Sequence, residues 1–144
     1  MTASVALLLL LMKQAVPSTL DQVRTESNPE HRARDAVEFA ASAERQAEAA
    51  YDKGDTDGLR TDLKTVEDAM ELARKSLEAT HKNASRHPGP YKFAETRSHE
   101  ILQRLDDFEH RMDESERPLI EGPKNKIQEI HDAWFDAIME KKKK

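Results

Sequence analysis

Between Tyr91 and Ser115, the residues Ala94, Ile101, Leu105, Phe108 and Met112 fall on one stripe. At about 100° per residue these positions stay within a narrow arc, the period of an amphipathic α-helix. The opposite arc carries His99, Gln103, Asp106 and His110. A helix divided in this way must bury its apolar side, and the rest of the chain offers matching stripes.

Asn28-Pro29-Glu30 reads as a helix start, with a capping Asn, Pro in the first helical position and an acid at the positive end of the helix dipole. The helix it opens is expected over 29–52, with a stripe of Ala33, Ala36, Val37, Ala40, Ala43, Ala47, Ala50 and Tyr51. So many alanines allow a neighbouring backbone to come close. Lys53 to Gly58 breaks the pattern with two glycines and several acceptor side chains. A second helix is expected over 57–81 on Leu59, Leu63, Val66, Met70, Ala73 and Leu77, capped by Asp55 or Asp57. Pro88-Gly89-Pro90 reads as a break, which puts the third helix at 91–115. Ile120, Pro123, Ile127, Ile130, Trp134 and Ile138 continue one phase, so a last helix is expected over 116–141, kinked or restarting at Gly122-Pro123.

Four helices of similar length with short connections imply an all-α protein, an antiparallel four-helix bundle of two helical hairpins behind an N-terminal hydrophobic segment. Two hairpins crossed at right angles are the alternative. Charged residues make up 35% of the chain and aromatic ones 5%, leaving little from which to build a sheet. A chain so polar invites disorder, but its regular stripes argue for a folded domain over 29–144.

Residues 3–12 read ASVALLLLLM. The run is too short to span a bilayer as a straight helix, and it suits the apolar region of a secretory signal. Val16-Pro17-Ser18 then supplies small or β-branched residues for cleavage after Ser18, although no Lys or Arg precedes the run. Residues 1–18 are therefore expected to be a signal peptide and 19–28 a polar linker, with an exported chain, periplasmic or extracellular. The alternative is a cytoplasmic protein whose apolar N-terminus docks on the bundle or joins a second copy of the chain.

The formal charge of −5 argues against nucleic acid as a partner. The basic run Lys141–Lys144 fits the negative end of a helix. Contact with membrane is expected only through the signal segment. Cysteine is absent, which removes disulfides, thiolate catalysis and zinc–thiolate sites.

The KGDTDG turn has acids spaced as in a calcium loop, but with Gly58 at the sixth position the first and twelfth fall on Lys53 and Lys64. A capped helix–helix turn explains the same residues. Glu78-Ala79-Thr80-His81 has the spacing of a di-metal bundle ligand pair, yet no second pair meets it at the same pole. His99 and His110 remain as metal-ligand candidates on the polar row, where pairs of Glu95 with His99 and Asp106 with His110 are the simpler expectation. Asn83-Ala84-Ser85 has the glycosylation pattern. No phosphate loop, nucleophile elbow or zincin helix occurs, and no cofactor or catalytic residue is expected. Trp134, Phe135 and Met139 form the richest apolar cluster near the C-terminus, with Trp134 on the buried stripe and Phe135 offset from it. They are the candidate contact residues for a protein partner.

The alanine-rich first helix, the Gly-Asp turn and the second helix resemble a tetratricopeptide pair. The period of about 34 residues is not repeated and the repeat's aromatic positions are not evident, so the resemblance implies shared hairpin chemistry rather than membership. The functional expectation is an exported, non-catalytic helical protein acting by surface contact, structural or adaptor, in the cell envelope. A cytoplasmic helical-hairpin adaptor is the second reading. A bundle binding metal or a small ligand through surface histidines is the third.

Overall fold

A computed structural model describes residues 19–140. The apolar run 3–12, the cleavage motif ending at Ser18 and the lysine run 141–144 lie outside the described residues. Among the described residues five helices follow one another: α1 (Leu20–Arg24), α2 (Pro29–Asp52), α3 (Thr56–Glu78), α4 (Pro88–Arg111) and α5 (Pro118–Met139). No strand occurs among the described residues, and no described helix is long and apolar enough to cross a membrane.

Side chains set most helix starts. Asn28 Oδ1 accepts from the amides of Glu30 and His31 at 2.9 and 3.2 Å, and Pro29 occupies the first position of α2. Asp55 Oδ1 accepts from the Gly58 amide at 2.9 Å and opens α3. Between them Gly54 turns the chain with φ of 73°, a left-handed conformation open to glycine.

Three stretches differ from the sequence expectation. The polar stretch 19–28 contains α1, capped by Thr19, and its Val23 is 1% exposed within the core. Pro88-Gly89-Pro90 begins α4 instead of preceding it. Prolines are tolerated there because the first amides of a helix have no intrahelical acceptor. Helix α5 neither abuts α4 nor restarts at Pro123; it begins at Pro118 and runs through Pro123, which is buried.

Within each hairpin the helices are antiparallel, as expected: α2 against α3, and α4 against α5. Between the hairpins, neighbours run in the same direction. Arg97 meets Glu38, Arg104 meets Glu44, and Phe108 meets Tyr51, so α2 and α4 ascend together. Lys126 meets Glu71, and Trp134 shares a groove with Leu77, so α3 and α5 descend together. Around the bundle the order is α2, α3, α5, α4. Helices α2 and α5 lie on a diagonal without contact, and α3 barely meets α4. The connection 79–87 therefore crosses the end of the bundle. Tyr91 fastens it, its hydroxyl donating to the carbonyls of Leu77 and Lys82 at 3.3 and 3.2 Å.

The core lies between the two hairpins. Helix α2 supplies small residues, Ala36, Ala40 and Ala47 among them, while α3 supplies Leu59, Leu63, Val66 and Met70. Helices α4 and α5 supply the bulk with Ile101, Leu105, Phe108, Ile127 and Trp134. Small residues on one helix face large ones on its neighbours, a pairing that lets side chains interdigitate.

Candidate functional site

The C-terminal half of α5 divides its apolar residues between two sides. Trp134, at 4% exposure, continues the buried stripe. Toward α3, Ile130 and Trp134 join Leu77 and Tyr91 to line an open groove of about 580 Å³. Three of the charged residues along its rim, Arg74, Glu78 and Lys126, are paired. Arg74 contacts both Glu71 and Glu78, and Lys126 Nζ lies 3.5 Å from Glu71. The Arg74 guanidinium, opposed by some desolvation, holds the Glu71 carboxyl down at about 2.

Toward α4, Phe135 is 47% exposed, the one exposed large hydrophobic side chain among the described residues. Its ring stacks on His131 with centroids 6.5 Å apart and planes 18° from parallel. His131 is itself fixed, Nε2 lying 2.9 Å from Glu95 Oε1 and Nδ1 3.1 Å from Asp132 Oδ1. His131 and Gln128 hold the Asp132 carboxyl below its ordinary range. Ile138 and Met139 are half-buried beyond Phe135. The helix thus presents an aromatic side chain on a rigid support, with two flexible apolar ones beside it.

The histidines are arranged differently from the sequence expectation. His99 is exposed, and its ring faces His131 at 5.8 Å, not His110. His110 lies three turns further along α4, about 16 Å by helical rise. Its Nδ1 sits 2.7 Å from the backbone carbonyl oxygen of Asp106. Glu95, expected to pair with His99, reaches across to His131. Asp106 lies 4.0 Å from His110 and takes its closer partner from α5, Lys124 Nζ at 2.7 Å. No group of three metal-ligating side chains comes together among the described residues.

One cluster had no counterpart in the sequence reading. Glu44 on α2 is buried, its side chain 1% exposed, and its Oε2 accepts from Arg104 Nε of α4 at 2.8 Å. Glu48, one turn on, accepts from Arg104 Nη2 at 2.7 Å and from Arg111. Glu44 Oε1 has no hydrogen-bond partner among the described residues. Burial, aided by Glu48 and opposed by Arg104, pushes the Glu44 carboxyl up to about 7. Its position on the edge of an alanine stripe was the only signal. Pairing with Arg104, 60 residues away, follows from the tertiary arrangement.

The sequence matches no known family model, and neither a characterised protein nor a solved structure resembles it significantly.

Proposed function

We propose that this is an exported helical protein that acts by surface contact, in a structural or adaptor role in the cell envelope, without catalysis. The observation that carries the contact reading is Phe135, held out from α5 on His131 beside Ile138 and Met139. A large apolar side chain exposed on a rigid helix is the kind of anchor a partner buries, and aromatic anchors are enriched where binding energy concentrates. The partner chemistry that fits is an apolar side chain from a protein segment laid along the end of α5. Export is supported by the apolar run 3–12 and the small residues up to Ser18. Cleavage after Ser18 leaves Thr19, whose hydroxyl caps α1, at the new N-terminus.

The test is photo-cross-linking from an exposed site next to the patch, Asp136, in the native cells. A discrete adduct that Phe135→Glu and Met139→Glu remove, with the helical circular dichroism unchanged, supports the reading. An adduct that survives both charged variants sinks it.

One observation favours the helical-hairpin adaptor as a second reading. The two hairpins stack with like-directed helices side by side, as successive units do in helical repeat proteins. The two readings differ in compartment and in the fate of residues 1–18.

A further inference from the structure

Glu44 and Glu48 stand one turn apart on α2, and Arg104 of α4 bridges them, Nε to Glu44 Oε2 and Nη2 to Glu48 Oε2. An ionised Glu44 would leave Oε1 as a buried acceptor without a donor, next to a second carboxylate. Both features penalise the charged form. A proton on Oε1 removes both at once: the oxygen becomes a donor, and Glu48, one turn away, is a hydrogen-bonding neighbour of Glu44. Oε2 still accepts from Arg104. The bridge then joins α2 to α4, and so one hairpin to the other.

We propose that Glu44 holds a proton beside Glu48, and that this proton is a latch between the two hairpins, closed in mildly acidic medium and released as the medium becomes alkaline. The charged groups facing Glu44 are Glu48 on its own helix and Arg104 on α4. Arg111 of α4 reaches the cluster through Glu48. Helices α1 and α3 also pack on α2, and the buried residues of both include no ionisable group; α5 does not pack on α2. Loss of the proton therefore leaves a buried charge half-satisfied. Water reaches it when the α4–α5 hairpin moves off α2, so the deprotonated cluster favours the looser arrangement.

The sign follows from the direction of the shift. The carboxyl is raised from 4.5 to about 7 by desolvation first. The stabilisation is fully present below the unfolded value and is lost as pH rises through the folded one. Three measurements on the full chain test the latch. Carbon-13 titration of the wild-type carboxyls should place Glu44 at about 7, well above the ordinary glutamate value; a midpoint below about 5 overturns the proposal.

Urea unfolding of wild type and Glu44→Gln, from pH 5.5 to 8, isolates Glu44, because every other ionisable group is common to both. The wild-type unfolding constant should rise on the order of 10- to 30-fold relative to the variant. Parallel profiles overturn the proposal. Finally, spin labels at Gln46→Cys and Gln103→Cys, both exposed sites in a chain without cysteine, report the α2–α4 distance. The distribution should broaden or lengthen at pH 8 relative to pH 5.5. One that does not change with pH shows a stability effect without a latch and overturns it.

Discussion

The Asp55 carboxylate occupies the space that a side chain at Gly58 would need. It accepts from the Gly58 amide at 2.9 Å, and a Cβ built at 58 would lie 2.3 Å from Asp55 Oδ2. Alanine is ordinarily the better helix residue by about 1 kcal/mol. Here Gly58→Ala should instead destabilise by about 1 kcal/mol, because it displaces the cap. Asp55→Ala should cost a similar amount, about 1 kcal/mol. In the double variant the clash is gone and the helix preference of alanine is recovered, so it should be more stable than Gly58→Ala plus Asp55→Ala predicts. A urea-unfolding cycle measures the coupling; strict additivity would mean that the two residues do not interact.

Helix α1 belongs to the packed structure through Val23, which is 1% exposed. Val23→Ala should lower the unfolding free energy by about 1 to 2 kcal/mol, the range for removing buried methyl groups. Limited proteolysis with trypsin checks the same point. Arg24 should be cut in Val23→Ala before it is cut in the wild type; equal rates would mean that α1 is not docked.

Tyr91 ties the crossing connection to the end of α3 through two carbonyls, those of Leu77 and Lys82. Tyr91→Phe keeps the ring and removes both hydrogen bonds, at an expected cost of about 1 kcal/mol. Hydrogen exchange should quicken locally over residues 79–87. A uniform increase across all helices would instead indicate a global effect.

On the acid side, Glu71 works in the opposite sense to Glu44. Arg74 lowers its carboxyl from 4.5 to about 2, so its contribution is present above the unfolded value and is lost as pH falls through the folded one. The pair is partly exposed, and screening reduces its worth to about 1 kcal/mol. Glu71→Gln should therefore be less stable than wild type near neutrality, and the two should converge as pH falls from about 4.5 toward 2. A difference that persists at the lowest pH would point to lost packing instead.

The sequence was most legible where the signal was local and repeated. Asn28-Pro29 and the alanine stripe predict α2 with its observed bounds, and the periodic isoleucines of α5 predict its buried face through Trp134. Pro88-Gly89-Pro90 misled because proline ends a helix from inside but suits its first turn, and periodicity does not say which applies. Helix α1 is one turn long, too short for any period; Thr19 as cap and the Leu20–Val23 spacing were its only marks. The like-directed pairing of α2 with α4 depends on which hairpin faces meet, which stripes alone do not specify. For the same reason the sequence pairs Glu95 with its helical neighbour His99, while the facing helix offers His131 at 2.9 Å. Glu44 could not be told from a solvated acid until Arg104 was placed against it.

The proposed function starts from export, and the intact mass of the protein from its native cells, measured after fractionation, tests export most directly. The account predicts a chain lacking residues 1–18 and beginning at Thr19, found in the envelope or secreted fraction. A full-length mass in the soluble cytoplasmic fraction would contradict it.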